Sequence, residues 1–176
     1  MKIIKKEEYN LTQSETTQLN ELLKTSFPGL FENRIYMKQL PHFRLLVKNN
    51  DKIIAQTGVD YRVVRLGDKV FRVFGVIDLC VESSFRKRKI AEKLLDEVFS
   101  LVKKSNGDFI VLFADDHRLY KRLGYQIKNN KCTWLGVDEH KTVGIIEDVL
   151  DDCLMVKEVS GQRWPKGTFD MLGYLY

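Results

Sequence analysis

The chain opens on a short run, "MKIIKK", whose apolar and polar residues predict a strand. "SETTQLNELLKTSF" follows with Leu19, Leu22 and Leu23 at helical spacing, Ser14 as its N-cap, and Pro28–Gly29 to close it. "LFENRIYMKQL" predicts a second short helix. Residues 42–81 read as three strands, broken by the turn signals "NND" and "LGD". "FRKRKIAEKLLDEVFSLVKKSNG" carries the strongest helical pattern: Ile90, Leu94, Leu95, Val98 and Leu101 make one apolar stripe, and Gly107 ends it. "DFIVLFA" predicts a buried strand and "DHRLYKRLGY" a turn or two of helix stopped by Gly124. "QIKNNKCTWLGV" reads as a strand with an irregularity at its two asparagines. Weaker strands follow, among them "CLMVKEV", then a tail "RWPKGTFDMLGYLY". Without repeats or linkers, this pattern predicts one α/β domain over residues 1–176. Its front half is antiparallel, and a strand–helix–strand unit lies behind it.

Composition narrows the class. The 176 residues are 44% hydrophobic and 30% charged, which suits a folded domain with a core of its own. Cys80, Cys132 and Cys153 are odd in number, widely spaced and free of any C-x-x-C pair. They predict neither a disulfide framework nor a zinc ribbon, and point to a reducing compartment. With no apolar leader and no run near the ~20 residues a membrane helix needs, the expectation is a cytoplasmic protein with no membrane partner and no metal. The formal charge of +5 is unevenly spread. Residues 117–131 hold Arg118, Lys121, Arg122, Lys128 and Lys131 without an acid, whereas 132–160 hold seven acids against Lys141 and Lys157. Either two kinds of partner or two solvated faces accounts for that asymmetry.

One placement of charge needs an explanation. Arg86, Lys87, Arg88 and Lys89 crowd the start of the strongest helix, where the macrodipole already supplies roughly half a positive charge. An anion seated on that helix start turns the misplacement into complementarity. The order strand, loop, helix in "DLCVESSFRKRKIAEKLL" is one that offers backbone N–H groups to a diphosphate.

The same residues resemble the coenzyme A loop of the GNAT acyltransferases, (R/Q)-x-x-G-x-(G/A). Arg86 matches its first position, Ile90 the apolar one and Ala91 the last small one, while Lys89 stands where the family has glycine. A lysine there still donates its N–H if its dihedrals are helical, and its ammonium can reach a phosphate. "VLFADDHRLYKRLGY" resembles the family's second signature, with Tyr120, Leu123, Gly124 and Tyr125 at Y-x-x-L-G-(F/Y). The tail, through Trp164, Pro165, Gly167, Asp170 and Gly173, is similar to the W-P-x-G-x-x-D ending of Nod-factor N-acyltransferases and more loosely to aminoglycoside 2'-N-acetyltransferases.

The resemblance implies the GNAT fold: a mixed, mostly antiparallel central sheet with splayed central strands, flanked by helices. Its core covers about residues 43–135, and 136–176 form a C-terminal extension. It implies an acetyl-CoA-dependent N-acetyltransferase that moves an acetyl (acyl) group to a primary amine by direct attack. Leu79, Cys80 and Val81 would line the pantetheine arm. The backbone of Arg88, Lys89, Ile90 and Ala91 would take the pyrophosphate, with Arg86 and Lys93 adding charge. A backbone N–H near Val81 would meet the oxyanion, and Tyr120 would protonate the departing thiolate. A base is required to deprotonate the amine. Asp78 and Glu82 are the nearest carboxylates in sequence, and Asp78 also reads as a structural strand carboxylate paired with a neighbouring arginine.

Several residues carry competing readings. His117, one turn before Tyr120, is either a neighbour in the cleft or a capping histidine. Cys80 lies on the thioester path, but as a buried strand cysteine it reads as packing. Glu147, Asp148, Asp151 and Asp152 either attract a cationic acceptor or form a solvated face. The rival function is a GNAT-like module that senses coenzyme A or holds a partner without turnover, which Lys89 in the glycine slot favours. A nucleic-acid partner lacks both aromatic platforms and a reading helix. Members of the family often pair, so a homodimer is among the expected partners.

Overall fold

The computed structural model describes residues 2–150 and 152–176, and its elements follow the hydrophobic pattern in most places. The strand breaks at "NND" and "LGD" both use a left-handed residue, Asn50 at φ 53° and Gly67 at φ 58°. They separate β2 (Phe43–Asn49), β3 (Lys52–Leu66) and β4 (Lys69–Val81). Contacts divide the chain into two compact units, residues 1–60 with 76–98, and residues 61–75 with 99–176.

In the first unit β1 (Ile3–Glu7) pairs antiparallel with β2, and β2 with β3. α1 (Gln13–Ser26) buries Leu19, Leu22 and Leu23 against Leu46, Ile53 and Cys80. Its N-cap is Thr12 rather than Ser14. The Thr12 hydroxyl accepts from Glu15 N–H, and Glu15 returns a bond to Thr12 N–H, a complete capping box. The helix expected over "LFENRIYMKQL" is absent. Phe31 and Ile35 instead insert singly into the α1 core, and Asn20 Nδ2 donates to the Arg34 carbonyl at 3.0 Å. The Ile35 carbonyl likewise accepts from Arg44 Nη2 at 2.6 Å, so side chains take two carbonyls that a helix would bond internally. α2 (Ile90–Lys104) begins at Ile90, after the four cations. Val102, not Leu101, completes its buried stripe.

In the second unit the strand order is β6-β9-β5-β4-β3-β10-β7-β8. The new strands are β5 (Phe109–Phe113), β6 (Gln126–Ile127), β7 (Lys131–Asp138), β8 (Lys141–Val149), β9 (Leu154–Glu158) and β10 (Phe169–Tyr174). α3 (Arg118–Arg122) follows β5. Most pairs are antiparallel, while β4–β5 and β10–β7 are parallel, giving the mixed sheet with helices that the sequence led one to expect. The β4–β5 pairs run from Val73–Phe109 to Gly75–Val111; β4 continues to Val81 and β5 to Phe113.

The asparagine irregularity is a change of neighbour: β6 pairs β9, and β7 pairs β8 and β10. Asn130 fixes the break by accepting from Trp164 Nε1 (2.8 Å) and donating to Gly167 O (2.7 Å). The tail has a packing role. Trp164 stacks edge-on to Phe109 and Phe169 at 4.9 and 5.1 Å, and Asp170 accepts from Arg65 and Leu172 N–H. Gly167, at φ 119°, lies where a Cβ would stand 3.1 Å from Gly67 Cα.

Candidate functional site

The segment between β4 and α2 is built to present backbone donors. Residues 83–85 form one 3-10 turn, closed by Arg86 N–H on the Ser83 carbonyl at 3.3 Å. Lys87 and Lys89 then take left-handed backbone conformations, φ 63° and 58°, on either side of Arg88. Such a conformation costs a residue with a Cβ about 1–2 kcal/mol. Alternating hand along successive residues turns their N–H groups toward one concavity, an anion nest. The first turn of α2 follows directly, and Lys93 N–H to Lys89 O (3.1 Å) closes it.

Arg86, Lys87, Arg88 and Lys89 are all exposed. Arg86 Nε donates to the Val81 carbonyl at 3.1 Å, and the Arg88 guanidinium lies 5.1 Å from the Phe85 ring centroid. Among the described residues neither lysine has a carboxylate partner. Ile90 anchors the helix start in the core, while Ala91 is half-buried and Lys93 exposed.

The strand leading into this loop carries one left-handed residue: Asp78, within β4, has φ 53°, and its own carbonyl and that of Ile77 are held by side chains of β3. Thr57 Oγ1 donates to Ile77 O at 3.0 Å, and Gln56 Nε2 donates to Asp78 O. Gln56 is fully buried and links to a second buried group, accepting from Arg44 Nη1 at 2.9 Å. Arg44 in turn binds Glu8 with two nitrogens, at 2.8 and 3.0 Å, and donates to Ile35 O.

Burial raises the Asp78 pKa to about 6, with Arg44 pulling it down and Glu8 pushing it up. Glu82 differs. Lys52 at 2.8 Å holds its carboxyl below the ordinary range, and Ser84 donates a further bond at 3.1 Å. Of the two carboxylates, Asp78 is tuned toward neutrality and Glu82 is locked as an anion. Burial pushes the Cys80 thiol up to about 11 against bonds from Ser26 and Gln56, so it stays protonated and packs. Leu79 and Val81 are half-buried beside it. Glu82 and Arg86 also line a cavity of about 450 Å³ with Gln18, Leu22 and Thr25 of α1.

In the second unit, Tyr120 stands on α3. Gly124 at φ 84° reverses the chain so that Tyr125 N–H reaches Tyr120 O at 3.0 Å, and the two rings meet edge to face at 5.7 Å. Burial, then Asp116, raises the Tyr120 pKa, so the phenol holds its proton. Asp116 is gripped by Arg118 through Nε at 2.9 Å and Nη2 at 2.6 Å. His117 Nε2 is buried without a hydrogen-bond partner among the described residues. Gly75 carries the Tyr176 ring directly on its face, where a Cβ would stand 2.2 Å from Cε1. Glu147 pairs with Lys131 at 2.5 Å; Asp148 binds Val149 N–H, and Asp151 lies outside the described residues.

A family profile described as an acetyltransferase (GNAT) domain matches residues 9–128. The chain belongs to the GNAT acetyltransferase family. No curated protein matches it in sequence. Among solved structures it is similar to an aminoglycoside 6'-N-acetyltransferase complexed with coenzyme A, at 17% identity and TM-score 0.66, over 93% of this chain and 99% of that one. The GNAT family N-acetyltransferase YhbS from Escherichia coli, in complex with CoA, has 16% identity and TM-score 0.66, over 97% of this chain and 88% of that one. A GCN5-related N-acetyltransferase from Anabaena variabilis has 15% identity and TM-score 0.60; 75% of this chain matches, and it spans 34% of that longer protein. These likenesses establish the GNAT fold.

Acetyl-CoA is the acyl donor of GNAT acetyltransferases. The residue that departs from the GNAT loop pattern keeps glycine's backbone: Lys89 is left-handed, not helical as its donor role was expected to require. Among the described residues no group of three or more His, Cys, Asp or Glu is placed to hold a metal, and no helix is long and apolar enough to cross a membrane.

All the loop and β4 residues named from sequence fall in the first unit, and Tyr120 falls in the second. Arg44, Gln56, Thr57 and Lys52, which hold the strand and its carboxylates, were not singled out. Arg44 within the apolar run "HFRLLV" is the one signal that pointed to them.

Proposed function

We propose that the chain transfers an acetyl (acyl) group from acetyl-CoA to a primary amine of a small-molecule acceptor, by direct attack and without a covalent enzyme intermediate. The observation that carries this reading is the left-handed pair Lys87 and Lys89 at the start of α2. Two lysines in a costly conformation, exposed and without carboxylate partners, make sense when a diphosphate occupies the concavity they form. In this reading the N–H groups of Arg88, Lys89, Ile90 and Ala91 take the pyrophosphate, and Arg86 and Lys93 add charge. The amides of the pantetheine arm pair with Leu79, Cys80 and Val81 as an added strand would.

The chemistry then divides among named groups. The amine nitrogen attacks the thioester carbonyl, the carbon–sulfur bond breaks, and an amide and the coenzyme A thiol result. A backbone N–H near Val81 stabilises the oxyanion. Tyr120, kept protonated by burial, gives its proton to the thiolate. Asp78, with a pKa of about 6, accepts the proton the amine sheds, directly or through water. Glu82 is the second candidate base, and its bond to Lys52 makes it the weaker one.

The other reading, a coenzyme A-binding module without turnover, is favoured by lysine in the glycine slot. Thiol release from acetyl-CoA, measured across a panel of amines, separates the two. Turnover that falls about 10²-fold in Tyr120→Phe, with acetyl-CoA affinity unchanged, is the outcome expected of the enzyme. Acetyl-CoA binding without turnover on any amine would establish the module instead.

A further inference from the structure

A cavity of about 440 Å³ opens where the chain after β1, the start of α1 and the chain before β2 meet. That volume falls among small-molecule sites, which run from roughly 300 to 1,000 Å³. Leu11, Ile35, Leu40 and Pro41 supply apolar walls, and Glu8 and His42 the charged and titratable groups. Tyr9 and Leu40, which also line it, are 84% and 51% exposed, so the cavity offers apolar surface to an occupant.

Buried side chains hold these walls in place. Arg44, fully buried, binds both Glu8 oxygens and donates through Nη2 to the Ile35 carbonyl at 2.6 Å. Asp60, 1% exposed, accepts from His42 Nδ1 at 2.6 Å. That bond fixes the imidazole and leaves its far nitrogen, Nε2, on the side away from the buried carboxylate. The His42 side chain is 56% exposed.

The charge balance selects the occupant. Glu8 is the one acid among the described residues that line the cavity, and Arg44 already answers its charge. A polycation entering here would shed water from several charges and gain no carboxylate in return. An amine carried on an apolar body loses little along the walls and brings one polar end. The cavity also borders the strand that carries Asp78. Pro41 and Ile77 close over Gly58, each within 3.3 Å of where a Cβ on Gly58 would stand, and Ile77 precedes Asp78 on β4. All these groups, with the loop before α2, belong to the first unit.

We propose that this cavity takes the acceptor, a monoamine on an aliphatic or aromatic body, and that His42 Nε2 accepts a hydrogen bond from its amino group. The inference rests on the acyl-transfer reading and narrows it from any primary amine to an apolar one.

Titration calorimetry of the full chain with 2-phenylethylamine, and separately with spermine, tests it without turnover. Phenylethylamine is expected to bind at one site, at least tenfold more tightly than spermine. Leu40→Asn, at an exposed position, should weaken it about tenfold. So should His42→Asn, whose amide keeps the bond to Asp60 but has no counterpart of Nε2, with the unfolding midpoint unchanged. No saturable binding of phenylethylamine, tighter binding of spermine, or an affinity indifferent to both substitutions would overturn the proposal. Thiol release from acetyl-CoA with phenylethylamine, its KM raised and kcat little changed in Leu40→Asn, would support the acceptor role. Binding as expected with no thiol release on any amine would overturn the acceptor role together with the acyl-transfer reading, while the ligand class of the cavity would stand.

Discussion

At the scale of single residues, backbone conformation and burial decide more than residue type. Lys89 occupies a glycine's slot with a glycine's φ, so removing its Cβ costs the fold nothing and adding a branch costs a good deal. Lys89→Gly is expected to be at least as stable as the parent, and Lys89→Val less stable by about 1 kcal/mol, read from urea midpoints. Asp78 supplies a pH signature. Its folded pKa of about 6 lies above its ordinary 3.8, so the native state holds the proton more tightly. The stability it contributes is complete below about pH 4 and is lost as pH rises to about 6. The gap corresponds to at most about 3 kcal/mol, and solvent at this half-buried group reduces it to on the order of 1 kcal/mol. Asp78→Asn should therefore flatten the fall in unfolding free energy between those pH values. If Asp78 is the base, the substitution also removes the acid limb of kcat/KM near pH 6. These features escaped the sequence for a physical reason. A left-handed lysine has no local sequence signal, and a carboxylate raised by burial, against Arg44 and with Glu8, is set by neighbours far away along the chain.

At the scale of elements, the N-terminus of α1 shows how one side chain ties three elements together. Burial alone would raise the Glu15 pKa, but Lys6 at 2.6 Å, the Thr12 N–H, and Lys48 at 3.1 Å bring it down to about 2. The carboxylate thus joins β1, β2 and the helix cap. Its stabilisation is present above pH 4.5 and is lost as pH falls through about 2. Glu15→Gln should cost about 2 kcal/mol at pH 7 and much less near pH 2, measured by denaturant unfolding at both. The cap was legible, since "TQSE" places Thr12 three residues before Glu15, whereas Ser14 has no glutamate or glutamine three residues on. α2 was plain from its single apolar stripe, and the three strands over 43–81 and β5 from apolar runs bounded by turn residues, buried along most of their length, while β9 showed only as one of the weaker strands. In place of the expected helix over 30–40 the backbone is irregular, and its Arg34 and Ile35 carbonyls are taken by Asn20 and Arg44. β8 left little trace in the pattern, since a strand exposed on both faces has no alternation to show.

At the scale of the whole molecule, the family and its fold were visible in two short signatures, while the C-terminal third was not. β10 joins β7 in parallel from some forty residues away, a pairing that no local pattern announces. The tail motif that hinted at a subfamily is spent on packing Trp164 into the core. What binds the account together is the claim that the basic start of α2 exists to hold a diphosphate. Calorimetric titration of acetyl-CoA into the pure protein, in moderate salt and beside an Arg88→Ala/Lys89→Gly variant, tests that claim most directly. The account predicts micromolar binding by the parent, and affinity about tenfold weaker in the variant at low salt, with the difference shrinking as salt is raised. No binding at millimolar acetyl-CoA would contradict it, and the four cations would then serve some other anion.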